Sequence, residues 1–149
     1  MRDEMVASTL TLAHTGASVS LDSAARAAGV TKAGLMYHFR TKQALMTAVI
    51  DHLMDQYEHE LTTRLPTSDT TARTTAARLG AYLDWVCDGH FDLGDLVMFT
   101  DPRLREPLSE RWNERMGAWV DIAETLPAHE RARFHAVRLI ADGIWLNAA

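Results

Sequence analysis

The chain is 149 residues long and 47% hydrophobic, with 15 basic and 20 acidic side chains and a formal net charge of −5. Apolar content of that order fills the core of one or two small globular domains. The lone cysteine, Cys87, excludes an intramolecular disulfide framework. With no signal-type start and no apolar run of membrane-spanning length, a soluble, cytoplasmic protein without a membrane partner is expected.

Helix formers are abundant, and alternating β-branched runs flanked by hairpin turn pairs are missing, so the expected fold is all-α. A first helix is predicted from about Asp3 to His14, stopped by Gly16. Ser20 is placed to cap a second helix, Leu21 to Ala28, whose Leu21, Ala24, Ala25 and Ala28 keep to one face, and Gly29 ends it. Thr31 then caps a third helix after so short a link that the angle between the two is fixed, which is the geometry of a helix-turn-helix. Within the third helix Leu35 and Phe39 must face inward, and this leaves Lys32, Ala33, Tyr37 and part of His38 outside.

Thr41 caps a long fourth helix, in which Leu45, Val49, Leu53, Tyr57 and Leu61 form a ladder flanked by Met46, Ile50 and Met54, and Pro66 terminates it. The polar stretch "TSDTTARTT" reads as a connection, with Asp69 or a neighbouring threonine starting a fifth helix that carries Leu79, Leu83 and Val86 and closes at Gly89. The segment "HFDLGDLVMF" reads as apolar and irregular or helical. A sixth helix is expected to start either at Asp101 and Pro102 or at Pro107, and to run through Trp112, Met116, Trp119 and Ile122 until a break at Pro127.

The last segment, "RFHAVRLIADGIWLNAA", is apolar around much of its circumference and so needs two burial surfaces. One is its own domain; the other is most economically a second copy of the chain. Leu139, Ile140, Gly143, Ile144 and Leu146 are the candidate dimer residues.

Charge is distributed unevenly. Residues 1–50 hold five basic and three acidic groups, whereas the remainder holds ten basic and seventeen acidic ones. A mildly basic head on an acidic body suits contact with a polyanion through one end, although an unevenly solvated surface gives the same count. Tyr82, Trp85, Phe99, Trp112, Met116 and Trp119 are candidates for a ligand pocket that would take a small apolar or aromatic effector. Trp112, Met116 and Trp119 also have the spacing of an ordinary buried helical face, so both readings stand. His52, Gln56 and His59 share a helical side near Asp55 without the spacing of a zinc site. No metal, no cofactor and, with no nucleophile motif or phosphate loop, no enzyme is expected.

Gly16, "SLDSAARAAGVTK" and "YHFRTKQAL", at fixed spacing over about 55 residues, resemble the DNA-binding domain of the tetracycline-repressor (TetR) family of transcriptional regulators. The resemblance implies a three-helix helix-turn-helix DNA-binding head at 1–45 and a helical-bundle ligand and dimerisation domain at 46–149. It implies a homodimer that binds double-stranded DNA at a near-palindromic operator as a repressor and is released by a small-molecule effector. It places Thr31, Lys32, Ala33, Gly34, Tyr37, His38, Arg40 and Lys42 at the DNA, with Lys42 resembling a phosphate clamp. Two positions depart from the family pattern: Met36 stands where tyrosine is common, with Tyr37 beside it, and Arg40 stands where proline or another turn residue is common. The tail "RLIADGIWLN" resembles the family's penultimate helix, so either the sequence continues past Ala149 or this member dimerises differently. The alternative is an all-helical ligand-binding or catalytic protein without DNA binding.

Overall fold

A computed structural model describes residues 1–67, 74–89, 91, 95–96 and 101–148, and among these the regular structure is entirely α-helical. The helices are α1 (Arg2–His14), α2 (Leu21–Ala27), α3 (Lys32–His38), α4 (Lys42–Thr63), α5 (Thr75–Asp88), α6 (Arg105–Val120) and α7 (Ala128–Ala148).

Helix boundaries follow local chemistry. Gly16 and Gly29, which follow α1 and α2, have φ of 74° and 67°, a backbone region that side chains with a Cβ seldom enter. Ser20 and Ser23 cap α2 reciprocally: the Ser23 amide donates to Ser20 Oγ at 3.0 Å, and the Ser20 amide donates to Ser23 Oγ at 2.8 Å. Thr31 Oγ1 accepts from the Gly34 amide at 3.0 Å, and Thr41 Oγ1 accepts from the Ala44 amide at 3.0 Å. Two side-chain caps therefore bracket α3 within a single short stretch.

Chain contacts gather into two compact units, one comprising Met1–Asp55 and Asp92–Asn113, the other Gln56–Phe91 and Glu114–Ala149. In the first, α1 packs on α2 and α2 on α3. Met5, Val6, Leu10, Ala24, Ala25, Leu35, Phe39, Leu45, Met46, Val49 and Ile50 form its core. Thr9 is fully buried among them and is satisfied locally, its hydroxyl donating to the Met5 carbonyl at 2.7 Å. Arg111 Nε donates to Asp51 Oδ1 at 2.7 Å, tying α6 to α4 within this unit.

In the second unit α5 packs along α7. The rings of Tyr57, Trp85 and Phe91 meet edge to face, with Tyr57 and Trp85 centroids 4.4 Å apart and Trp85 and Phe91 centroids 4.8 Å apart. Trp85 Nε1 donates to Glu60 Oε2 at 2.6 Å, so the polar edge of a nearly fully buried indole is satisfied. Arg115 grips Glu58 through two bonds, at 3.0 and 2.9 Å.

Some boundaries differ from expectation. The cap of α5 is Thr74, whose Oγ1 accepts from the Ala77 amide at 3.1 Å; Asp69 lies outside the described residues. α6 begins at Arg105, between the two proposed starts. Asp101 caps only the turn that precedes it, through Oδ1 and the Arg103 amide at 3.0 Å. Pro107 is the third helical residue, where its missing N–H has no intrahelical partner to lose. α6 stops at Val120, before Ile122, where Arg78 donates to the carbonyls of Ala118 and Asp121. Pro127 immediately precedes α7 and its carbonyl accepts from the Arg131 amide at 3.0 Å.

Candidate nucleic-acid interface

A helix of seven residues is marginal on its own, and α3 borrows its stability from its neighbours. Leu35 is fully buried and Phe39, the residue that ends the helix, is 2% exposed. Those two anchors turn the opposite surface outward. Lys32, Ala33, Met36 and Tyr37 are exposed along it, Tyr37 at 84%. The Tyr37 and His38 rings meet edge to face with centroids 5.2 Å apart.

Beyond α3 the surface continues through exposed Arg40 and Thr41 to Lys42, the first residue of α4. Gly34 has a structural reason to lack a side chain, because a Cβ there would sit 3.2 Å from Thr31 Oγ1, the atom that caps the helix. Both lysines of the surface hold carboxylates. Lys32 Nζ donates to Asp22 Oδ2 at 2.9 Å in an exposed pair, and Lys42 Nζ donates to Asp101 Oδ2 at 2.7 Å in a more sheltered one. The hydrogen bond from Lys42, followed by the one from the Arg103 amide, holds the Asp101 carboxyl below the usual carboxylate range.

Residues 7–49 match the family model of bacterial regulatory proteins of the tetR family. The chain carries a TetR-family head. The match begins within α1, contains α2 and α3 entire, and ends in the early turns of α4. A comparison with curated proteins finds no match. With its TetR-family head and only α-helices as regular structure among the described residues, the chain is a DNA-binding regulator of transcription.

The eight residues expected at the DNA lie at the N-cap of α3, on α3 itself, or on the passage from it into the first residue of α4. Thr31, Lys32, Ala33, Tyr37 and Arg40 are exposed, and Gly34, His38 and Lys42 are half-buried.

The candidate pocket residues are distributed differently. Tyr82, Trp85 and Met116 are buried in the second unit and Trp119 is half-buried there, Trp112 belongs to the first unit, and Phe99 lies outside the described residues. Tyr57, Phe91 and Trp145 share the aromatic cluster with Trp85. The pattern of α4 marked Tyr57 as core and the pattern of α7 left Trp145 undifferentiated; no local signal connects two residues on separate helices. Tyr82 donates to Asp142 Oδ1 at 2.7 Å.

On α7, Ala141 and Trp145 are buried, whereas Leu139, Ile140 and Leu146 are 69%, 59% and 56% exposed. Gly143 is exposed beside them and Ile144 is half-buried. His52 lines an open cleft of about 350 Å³ with Arg2, Asp3, Val6, Ala48, Asp51 and Asp55. Among the described residues no group of His, Cys, Asp and Glu is arranged to hold a metal, and no helix is long and apolar enough to cross a membrane.

Proposed function

We propose that the protein is a dimeric repressor that inserts α3 into the major groove of a near-palindromic operator, with residues 1–45 as the DNA-binding head and 46–149 as the regulatory and dimerisation part. The observation that carries this reading is the pairing of buried Leu35 and Phe39 with exposed Lys32, Ala33 and Tyr37 on one short helix inside the matched region. A helix fits a major groove about 12 Å wide, and a short one braced from behind enters it without needing stability of its own.

In this reading Lys32, Tyr37, Arg40 and Lys42 meet phosphates and set orientation. Ala33 and Gly34 let the helix come close, and Thr31 and His38 border the contact. Small side chains at 33 and 34 offer few paired hydrogen bonds to bases, so sequence is read through Lys32, methyl contacts and DNA shape. The exposed apolar face of α7 supports a homodimer, and the aromatic residues of the second unit support an apolar or aromatic effector that favours one arrangement of the two heads over the other.

Selection of bound duplexes from a random pool tests the reading. It is expected to return two inverted half-sites about 34–36 Å apart centre to centre, or a multiple of that. Lys32→Ala, Tyr37→Ala and Lys42→Ala are expected to weaken duplex binding, and binding is expected to fall steeply as salt rises. Wild-type affinity in all three variants, or no enrichment of any duplex, overturns it.

A further inference from the structure

Lys42 has a partner 59 residues along the chain, outside the matched region but inside the same compact unit. Asp101 is already fixed when it meets the lysine. Its Oδ1 accepts from the Arg103 amide at 3.0 Å and its carbonyl accepts from the Leu104 amide at 3.0 Å. That turn leaves Oδ2 for the Lys42 ammonium, 2.7 Å away. The hydrogen bonds from Lys42 and the Arg103 amide lower the Asp101 pKa below the usual carboxylate range. The other lysine pair, Lys32 with Asp22, is formed within the head between two exposed side chains, and solvent weakens it.

We infer that Asp101 is a positioning residue for DNA binding, which withholds Lys42 from the phosphate backbone. The inference rests on the reading of Lys42 as a phosphate contact. Each lysine that neutralises a phosphate releases a condensed counterion, and this release drives the salt-dependent part of affinity. A lysine held by a carboxylate contributes less than a free one, because the phosphate meets an ion pair with a neighbouring negative charge; Lys42 still offsets that charge, so its loss weakens binding further. For Lys42 to engage, the pair must open. Any rearrangement that draws the Asp101 to Leu104 turn away frees the ammonium, and any that holds it in place lowers affinity without touching α3.

The test uses the full chain, a random-sequence DNA duplex and a salt series. Asp101→Asn is expected to bind about threefold to tenfold more tightly than wild type at low salt, with a salt slope steeper by about 0.9. Asp101→Glu, which keeps the charge, is expected to stay close to wild type. In a Lys42→Ala background the gain from Asp101→Asn is expected to shrink by about half or more, since only general relief of repulsion is left. Thermal unfolding of each variant shows whether the fold is kept, and the Asp101→Glu comparison stands even where Asp101→Asn is destabilised. Unchanged or weaker binding by Asp101→Asn overturns the inference, as does an equal gain in both backgrounds or tighter binding by Asp101→Glu. A wild-type chain that binds no duplex overturns the DNA-binding reading itself, whereas a wild type weakened by Lys42→Ala and indifferent to Asp101→Asn overturns only the role of Asp101.

Discussion

Leu35 and Tyr37 stand two residues apart on α3 and face opposite ways, the first fully buried and the second 84% exposed. Substitution separates what each does. Leu35→Ala removes a core side chain and is expected to cost about 2–5 kcal/mol of stability. Tyr37→Ala is expected to change stability by no more than about 0.5 kcal/mol, as a surface substitution does, while weakening duplex binding. Thermal melts and fluorescence anisotropy on the same preparations check both. A Tyr37→Ala chain that melts as early as Leu35→Ala would show the tyrosine to be structural.

Gly29 joins α2 to α3 at a φ of 67°, and a Cβ placed there would have nothing within 4 Å. The cost of Gly29→Ala is therefore conformational alone, about 1–2 kcal/mol for the left-handed region. Gly29→Asn is expected to cost less, because asparagine tolerates that region better. Urea midpoints of the three proteins should fall in the order glycine, asparagine, alanine.

Tyr82 holds its proton more tightly than a free tyrosine. Burial disfavours the phenolate, and the hydrogen bond to Asp142 with that carboxylate's negative charge adds to it, against a smaller opposing effect of Arg138. The unfolded chain releases this proton near the ordinary value of 10.0, the folded chain only well above it. The resulting stability is complete below pH 10 and declines as pH rises past that value toward the folded one. Tyr82→Phe is expected to be about 1 kcal/mol less stable than wild type at neutral pH through loss of the hydrogen bond. That gap should narrow and then reverse as urea titrations move into the alkaline range. A gap independent of pH would show that the hydroxyl titrates alike in both states.

The head was legible in the sequence because its signals are local. The hydroxyls of Ser20, Thr31 and Thr41 accept from amides three residues further on, Gly16 and Gly29 sit where the backbone turns left-handed, and Leu35 and Phe39 repeat at helical spacing. The start of α6 was not legible, because Pro102 and Pro107 are both acceptable near a helix start and the choice fell between them. Neither were the bonds of Lys42 to Asp101, Arg115 to Glu58 and Trp85 to Glu60. Each joins residues far apart in sequence, and periodicity within one helix carries no information about which charge on another will meet it.

The outward face of α7 makes the last prediction. Leu139, Ile140 and Leu146 expose their side chains along the helix while Ala141 and Trp145 are buried, so the helix is apolar on two sides and the described fold of one chain covers only one. Exposed leucine and isoleucine scattered singly are ordinary, but here they recur at helical spacing beside an exposed glycine that permits close approach. Burying one such side chain is worth about 1.5–3 kcal/mol, and a two-fold axis counts each of them twice. Ile140→Glu places a charge in that face and is expected to convert the proposed dimer to a monomer in sedimentation, with little change in secondary structure because the residue is 59% exposed. Binding to a full operator should then drop far more than binding to a single half-site, since the second head no longer arrives with the first. A wild-type chain that sediments as a monomer at every concentration tested would remove the dimer, and an Ile140→Glu chain that remains dimeric would place the subunit contact elsewhere.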